Sequence, residues 1–384
     1  MKNPPLHLQI QQELLSEILA GKHDRAARLP SEAQLVKRFG VSRPTVARAL
    51  QELKLQGLLE RRAGSGTYLR RERGAARGSQ GVRQLGLIVP GLGQVEIFDV
   101  ICGELASLAR VHELGMHWGG STGPMAGTGM SIAEAEELCE RYIGNAVSGV
   151  FFAPFEHTGD HEVANRRITE RLSHAGIPVV LLDRDLCPFP KRSNFDLVGI
   201  DNFAGGYLLA EHLLKLGHKR LAFVARPFSA GTVEARQSGA RAAILAHGGA
   251  LGQDFVHLGD PGDAKMGRSL SAGRPFDAVI CANDHTAAQL LQTLTRLGVR
   301  VPGDLRLVGF DDVRFATLLM VPLTTIQQPC RDIALTAFYA MRERMAVPSL
   351  PPRSLLLTPR LMVRESCGAY PSQPTPGVPS SRLS

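Results

Sequence analysis

Apolar residues recur along the chain with two different periods, and the period predicts which segments are helices and which are strands. Near the N-terminus the spacing is helical, because Leu35 and Phe39 lie four residues apart and Val46, Leu50 and Leu53 follow at spacings of four and three. From about residue 84 onward, short runs of consecutive apolar residues alternate with amphipathic segments. Such runs are typical of strands buried on both faces, so we expect parallel sheets covered by helices.

The alternation continues to residue 312 and falls into two series, the second beginning at residue 196. The predicted strands are 84–90, 114–120, 147–154, 177–185, 196–202, 219–226, 277–284 and 305–312. The predicted helices are 97–113, 131–145, 160–175, 205–217, 234–248 and 285–298. Two such series exceed one doubly wound sheet, so the predicted fold class is α/β, with two lobes and a cleft between them.

The two N-terminal helices have the start and stop residues of a helix-turn-helix. Ser31 can cap the first helix and Gly40 breaks it, after which Ser42 can cap a second helix whose first turn accepts Pro44. The face of the second helix opposite its apolar residues carries Arg43, Thr45, Arg48 and Gln51. A helix with this cationic outer face fits the major groove of DNA.

The segment LLERRAGSGTYL, residues 58–69, then predicts a short hairpin. Residues at or near its tip are Arg61, Arg62, Gly64, Ser65 and Gly66. Glycines there let main-chain N–H groups approach a phosphate backbone closely. The alternative is a small helical domain that merely has a basic surface.

Together these features resemble the winged helix-turn-helix of the GntR family of bacterial transcription factors, over residues 6–69. The matching segments are 29–32 (LPSE), 39–43, 45–46, 49–50, 53, 57–58 and 64–68. The resemblance implies DNA contacts from Ser31, Ser42, Arg43, Pro44, Thr45, Arg48, Arg62, Gly64 and Gly66. The family commonly has arginine directly after the Thr-Val pair, whereas this chain has Ala47 there and then Arg48. A shift of one residue turns a helical side chain by about 100°, so operator preference should not be transferred from relatives.

Charge is distributed as a DNA-binding domain requires. Residues 1–83 hold 16 Lys and Arg against 7 Asp and Glu, while the net charge of the whole chain is +8. The positive excess therefore lies entirely in the N-terminal part, which points to a polyanionic partner. Membrane phospholipid is the rival polyanion, but the basic residues do not form one long amphipathic helix.

Four predicted strands end in Asp, Asn or Arg. The pairs are Asp183 and Arg184, Asp201 and Asn202, Asn283 and Asp284, and Asp311 and Asp312. Ligands bind at the carboxyl ends of parallel strands, and such pairs can hold hydroxyl groups. Asp and Asn at these positions can equally cap the following helix.

Residues 84–365 resemble the effector domains of the lactose-repressor family, which share the fold of periplasmic sugar-binding proteins. The carrying segments are 198–224, 234–243, 282–291, 298–312 and 322–329. The resemblance implies an effector held in the cleft by Asp183, Arg236, Asn283, Asp311 and Gln328, while Phe98 either walls the cleft or belongs to the core. Two aromatic positions of sugar-binding relatives are Pro261 and Cys330 here. A pyranoside is the first expectation, and a furanose, a polyol or another small polar metabolite stays open.

These observations predict a sequence-specific transcriptional regulator, a homodimeric repressor controlled by a small polar metabolite, most simply a sugar. A ligand-dependent activator or co-repressor scheme fits the same residues. A secreted solute-binding protein shares the cleft but would need a signal peptide and no DNA reader. No nucleotide-binding loop, nucleophile elbow or CxxC pair is found, and His157 with His161 lack a third metal ligand. We therefore expect no catalytic site, no cofactor, no metal and no membrane span, and a cytoplasmic location on the nucleoid.

The expected domain boundaries follow from the same patterns. Residues 1–70 are the DNA-binding domain, 71–83 a linker rich in Gly, Arg and Ala, and 84–366 the effector-binding and dimerisation domain. Residues 367–384 are expected to be a disordered tail rich in Pro and Ser.

Overall fold

The computed structural model describes most of the effector region and the central part of the DNA-binding region. The described residues are 10, 13–14, 17, 29–55, 59–62, 66–69, 83–93, 95–119, 129–156, 159–252 and 254–370. The chain divides into two compact units, Met1–Gln80 and Gly81–Ser384. The expected linker, apart from Arg83, and the tail beyond residue 370 lie outside the described residues.

The first unit is a winged helix-turn-helix in its described part. Its elements are α1 (Glu32–Phe39), α2 (Arg43–Leu55), β1 (Leu59–Arg62) and β2 (Gly66–Leu69). Ser31 caps α1 as predicted, because its hydroxyl accepts from the Gln34 amide at 3.3 Å and the Gln34 side chain accepts from the Ser31 amide at 2.8 Å. Gly40 ends α1 with φ 64°, a left-handed conformation that suits glycine. β1 and β2 pair antiparallel, as the predicted hairpin requires.

A small apolar core fixes the angle between these two helices. Buried residues from both helices and from the preceding helical segment meet in one cluster, formed by Ile10, Leu14, Leu29, Leu35, Val46, Ala49, Leu50 and Leu53. The buried residues of α2 are those that the spacing predicted, so its opposite face is left to solvent.

In the second unit, the first lobe is built on a six-stranded parallel sheet. Its strands are β3 (Gln84–Ile88), β4 (Gly115–Trp118), β5 (Gly149–Phe152), β6 (Val179–Leu182), β7 (Asp196–Ile200) and β13 (Ser354–Leu357). They lie in the order β13-β7-β6-β5-β3-β4, and all neighbours are parallel. The helices α3 (Glu96–Val111), α4 (Ile132–Gly144) and α5 (Gly159–His174) connect them.

The second lobe is built on a four-stranded parallel sheet. Its strands, β8 (Leu221–Ala225), β9 (Val256–Leu258), β10 (Ala278–Cys281) and β11 (Arg306–Val308), lie in the order β11-β10-β8-β9. Its helices are α6 (Asn202–Lys215), α7 (Gly231–Ala246), α8 (Ala264–Ser271) and α9 (Asp284–Arg296). The predicted α/β class with two parallel sheets is confirmed.

One strand was assigned to the wrong lobe. The sequence pattern opened the second series at residue 196, but β7 (Asp196–Ile200) pairs with β6 and belongs to the first sheet. On its other side it pairs with β13, which comes from near the C-terminus. The apolar run identifies a buried strand correctly, but it carries no information about which strand becomes its neighbour.

The chain crosses between the lobes again after β11. β12 (Thr325–Gln327) pairs antiparallel with β14 (Arg360–Met362), and between them α10 (Cys330–Ala346) packs against α3 and β7 of the first lobe. Buried Asp196 anchors this return through ion pairs with Arg344 at 2.9 Å and Arg353 at 3.3 Å.

The effector unit extends past the expected boundary at residue 366. Cys367 is fully buried and ends a 3₁₀ turn, Glu365–Cys367, and the described chain continues to residue 370. Within the described ranges, no helix is both long and apolar enough to cross a membrane.

Candidate functional site

The exposed face of α2 carries the residues that the sequence predicted for DNA. Ser42, Arg43, Pro44 and Arg48 are exposed, and Thr45 is half-buried. The Arg43 side chain is 77% exposed, whereas Val46 in the next turn is completely buried. The helix therefore presents a cationic stripe whose backbone position is fixed by the core beneath it.

Three polar contacts hold the start of α2. The hydroxyl groups of Ser42 and Thr45 lie 2.7 Å apart, and the Ser42 carbonyl accepts from the Val46 amide at 3.2 Å. Arg43 donates from Nε to Glu32 of α1 at 3.2 Å. A phosphate or a guanine that bound Arg43 through Nε would therefore replace this carboxylate.

The wing is described only in part. Arg62 and Gly66 form the last register pair of the hairpin, so the chain reverses between them. The side chain of Arg62 is outside the described part of the structure, as is Gly64. The predicted phosphate contacts of the wing stay predictions.

In the effector unit, Arg236 of α7 is the centre of a buried polar cluster at the ends of the strands. Its Nε donates to the side-chain Oδ1 of Asn202 at 2.8 Å, and its Nη1 donates to the main-chain carbonyl of Ala282 at 2.7 Å. The guanidinium lies over the ring of Phe310, 3.6 Å from the centroid. Burial lowers the pKa of Arg236, while the Asp311 and Asp183 carboxylates act in the opposite direction and favour the charged guanidinium.

Close helix packing brings Arg236 beside Asn202. A Cβ added at Gly206 of α6 would collide with the Arg236 carbonyl oxygen, and one added at Gly239 of α7 would collide with that of Phe203. Because α6 and α7 touch through these glycines, the start of α6 and the second turn of α7 share one site. The spacing of three residues between Arg236 and Gly239 thus has a structural reason.

Asp311 enters the cluster on a backbone conformation that aspartate rarely adopts. Its φ is 116°, and the next residue, Asp312, also has a positive φ of 56°. Gln328 donates to the Asp311 carboxylate at 2.7 Å, and Arg236 Nη2 lies 3.7 Å from the same oxygen. Burial raises the pKa of Asp311 to about 6. Backbone strain and a perturbed carboxyl group together are typical of functional sites.

Asp183 approaches from the first lobe and pairs with its own neighbour. Arg184 donates from Nε to the Asp183 carboxylate at 3.0 Å, and Asp183 has a positive φ of 67°. The Arg184 guanidinium also lies 5.6 Å from the ring centroid of Phe98. Phe98 is 2% exposed and belongs to the main apolar core, so it is a core residue that also borders the buried charges.

Two of the strand-end residues cap helices, which was the alternative reading of the pattern. The Asn283 side chain accepts from the Thr286 amide at 2.8 Å, and Asp201 accepts from the Ala204 amide at 2.9 Å. Asn283 follows Ala282, whose carbonyl binds Arg236, so it lies at the edge of the cluster. Five of the six predicted effector residues therefore meet around Arg236 or beside Arg184, and Asn283 borders them as a helix cap.

Buried Asp284 supports this cluster and was absent from the predicted site. It accepts from the Thr325 hydroxyl at 2.6 Å and from the Val313 amide at 3.0 Å, which holds the segment that presents Asp311. Burial raises the pKa of Asp284 to about 8. A Cβ at Gly309 would collide with its carboxylate, so glycine is required there. Arg184 and Asn202 were also missed, although the strand-end pattern had named all three.

Two hollows reach the cluster. One is lined by the start of α3 and by Asp311, Val313 and Gln328. The other is lined by Asp183, Arg184, Asn202 and the start of α7. Carboxylates accept from neighbouring hydroxyls and guanidinium groups donate to them, so the arrangement suits a polyhydroxylated ligand.

The described ranges contain no cluster of three or more His, Cys, Asp or Glu that could hold a metal ion. Of the histidine pair noted in the sequence, His157 is outside the described residues, and the His161 ring lies 2.9 Å from the Glu156 carbonyl oxygen.

Two family models match the chain. Residues 6–69 match bacterial regulatory proteins of the gntR family, and residues 210–367 match the periplasmic binding protein-like domain. The two matches fall on the two structural units separately.

Characterised regulators resemble the chain along most of its length. An arabinose metabolism transcriptional repressor of Geobacillus stearothermophilus is 28% identical over 381 residues, covering 95% of this chain and 98% of the relative. The HTH-type transcriptional regulator CelR of Thermobifida fusca is 32% identical over 243 residues, covering 62% of this chain and 69% of the relative. A solved complex of a transcriptional regulator CelR with cellobiose superposes with a TM-score of 0.61 at 25% identity, covering 85% of this chain and 91% of that one.

Proposed function

We propose that this chain is a homodimeric repressor that a neutral sugar releases from its operator. The chain belongs to the bacterial transcriptional regulators that combine a gntR-type DNA-binding domain with a LacI-type, periplasmic-binding-protein-like effector domain. The chain is a sequence-specific DNA-binding regulator whose operator binding is controlled by a small polar ligand. The finer statements, namely the kind of sugar, the residues that bind it and the dimer, are proposals.

The observation that carries the effector proposal is the charge balance of the buried cluster. Asp183 and Asp311 contribute two carboxylates, and Arg184 and Arg236 contribute two guanidinium groups within the same contact network. A phosphorylated or acidic ligand would bring additional negative charge next to two buried carboxylates. An uncharged ligand with several hydroxyl groups leaves the balance intact and can use both donors and acceptors.

The size of the ligand follows from the aromatic surfaces. The face of Phe310 is covered by the Arg236 guanidinium, and Phe98 is buried beside Arg184. Two positions that carry rings in some sugar-binding relatives are Pro261 and Cys330. Recognition therefore relies on hydrogen bonds more than on stacking, which favours a monosaccharide or polyol. One relative is a repressor of arabinose metabolism and another was solved with cellobiose, so arabinose and cellobiose are the first compounds to test.

Two exposed apolar residues of the second lobe support the dimer. Leu318 is 80% exposed and Met320 is 89% exposed, in the segment that follows the 3₁₀ turn Arg314–Thr317. Exposed apolar side chains that lie close together in one segment are candidates for a subunit contact. We place part of the dimer contact here, because two DNA-binding domains on one operator require a two-fold assembly.

No catalytic role is proposed, since the relatives named above are transcriptional regulators. The partner is double-stranded operator DNA, and regulation of transcription requires a cytoplasmic location on the nucleoid. No resident cofactor is needed for this function.

The direct test is a thermal-shift screen of the full chain against L-arabinose, D-ribose, cellobiose, other neutral sugars and polyols, with sugar phosphates and sugar acids as charged counterparts. A ligand that binds the folded state raises the melting temperature by mass action. We expect a neutral sugar to raise it and its phosphate not to do so. Stabilisation by the charged compounds alone would contradict the charge-balance argument.

A further inference from the structure

Glu96, the first residue of α3, reaches from the first lobe to the main chain of the second. Its carboxylate oxygens lie 3.0 and 3.1 Å from the backbone nitrogen of Arg314, which donates to them. Arg314 begins the 3₁₀ turn that follows the Asp311 segment. Glu96 and Asp311 also line the same hollow, so this contact joins the two lobes at the edge of the candidate effector site.

The backbone of the Asp311 segment is held from two directions. From within the second lobe, the Asp284 carboxylate accepts from the Val313 amide at 3.0 Å, and the Ile326 carbonyl accepts from the Asp311 amide at 2.8 Å. From the first lobe, Glu96 accepts from the next amide, that of Arg314. The strained backbone of Asp311 and Asp312 is therefore held on one side by hydrogen bonds within the second lobe. On the other side it is held by the Glu96 contact, which depends on lobe closure.

The main chain, and not the arginine side chain, carries this contact. The Arg314 side chain is 89% exposed, and its Nε lies 3.7 Å from Glu96. A solvent-exposed ion pair at that distance contributes little, whereas a carboxylate that accepts from a main-chain amide makes a charge-assisted hydrogen bond. The two parts of the contact can be removed separately by mutation.

We propose that Glu96 is a positioning residue of the effector site: by binding the Arg314 amide it holds the two lobes together over the Asp311 segment and sets Asp311 for the ligand. This inference rests on the proposed function where it concerns ligand binding. It makes the start of α3 responsive to effector occupancy, because a ligand that orders Asp311 also favours the lobe contact at Arg314, three residues along the chain.

The first experiment needs no ligand. Hydrogen–deuterium exchange of the full chain, resolved to the Arg314 amide, is compared in wild type, Glu96→Ala, Glu96→Gln and Arg314→Ala. Loss of one charge-assisted hydrogen bond should speed exchange about tenfold in Glu96→Ala. Glu96→Gln retains an acceptor oxygen and should recover much of the protection. Arg314→Ala keeps the backbone amide and should match wild type after correction for the intrinsic rate of alanine.

The second experiment measures ligand affinity in the same four proteins, by calorimetric titration with L-arabinose and with cellobiose. For a sugar that binds wild type, Glu96→Ala should raise the Kd about tenfold with little change in melting temperature, and Glu96→Gln should bind more tightly than Glu96→Ala. Arg314→Ala should bind as wild type does.

Each outcome has a defined meaning. Unchanged exchange at Arg314 in Glu96→Ala overturns the contact, and faster exchange with an unchanged Kd overturns the positioning role. If neither sugar binds wild type, the proposed effector class loses its support, and the exchange comparison alone decides whether Glu96 holds the segment.

Discussion

Arg236 and Asp311 form a buried pair in the second lobe, with Nη2 and Oδ1 3.7 Å apart and both side chains almost completely enclosed. The separation is longer than a direct hydrogen bond. Arg236 donates its shortest hydrogen bonds to the Asn202 side chain and to the main-chain carbonyl of Ala282. Asp311 in turn is bound closely by Gln328. The pair is therefore preorganised, with capacity on both groups for a ligand that reaches between them.

Replacing Arg236 by alanine should abolish the effector response and destabilise the effector unit by about 3 kcal/mol, because the buried carboxylates lose their compensating charge. Calorimetric titration and chemical denaturation measure the two effects. Arg226→Ala is the matched control, since the contacts of Arg226 with Asp260 and with Gln289 are exposed and should matter little. If Arg236→Ala bound the ligand with wild-type affinity, Arg236 would not be part of the effector site.

Asp284 should make stability depend on pH in a defined direction. Burial raises the pKa of Asp284 to about 8, whereas that of an unfolded aspartate is about 4. The folded state thus retains a proton that the unfolded state loses. The resulting stabilisation is complete below about pH 4, decreases by about 1.4 kcal/mol per pH unit as the pH rises, and is gone above about pH 8.

Asp284→Asn tests this dependence, because asparagine can accept from the Val313 amide and donate to the Thr325 hydroxyl. Urea denaturation between pH 5 and 9 gives the free energy of unfolding of wild type and variant. The variant should gain stability relative to wild type as the pH rises to about 8, and the difference should be constant above that pH. Parallel pH profiles for the two proteins would show that Asp284 is ionised in the folded state.

Arg43 and Arg48 should contribute to operator binding in different ways. Glu32 accepts from Arg43 Nε and so competes with DNA for it, and Glu32→Gln should therefore tighten binding. Arg43→Ala and Arg48→Ala should each weaken it by about 1–3 kcal/mol if they contact base edges. Fluorescence anisotropy on specific and unrelated DNA over a range of salt concentrations separates base contacts from phosphate contacts. Unchanged specific binding in both alanine variants would exclude α2 as the recognition helix.

The exposed residues Leu318 and Met320 should hold subunits together. The double substitution Leu318→Asp with Met320→Asp introduces charge into an apolar contact and should shift the protein from dimer to monomer in sedimentation velocity. Val163→Asp, at a similarly apolar position that is 54% exposed on α5, is the control and should leave the dimer intact. A double variant that sediments as wild type does would place the interface elsewhere.

Local features of the fold could be read from the sequence because they depend on neighbouring residues. The Ser31 cap, the Gly40 stop and the apolar face of α2 are set within one or two helical turns, and all three are confirmed. The lobe to which β7 belongs depends on its pairing with β6 and with distant β13, and no local pattern contains that information.

The site was predictable to the extent that strand ends share one edge of a sheet. That rule named Asp183 and Asp311, and the family resemblance added Arg236, but the rule could not separate the two carboxylates from Asn283, which caps α9. The support that Asp284 gives to the Asp311 segment depends on a hydrogen bond to Val313, and the approach of Glu96 depends on how the lobes close. Both are tertiary relationships that the residue types alone do not specify.

The central claim is that a neutral sugar at the Arg236 cluster controls DNA binding. It is tested most directly by anisotropy titration of the full chain on a labelled operator selected in vitro, with and without the sugar that gives the largest thermal shift. We predict that the sugar weakens operator affinity of wild type about tenfold or more, and that Arg236→Ala binds the operator normally without responding to the sugar. Equal sugar responses of wild type and Arg236→Ala, or operator affinity of wild type that is indifferent to a bound sugar, would contradict the claim.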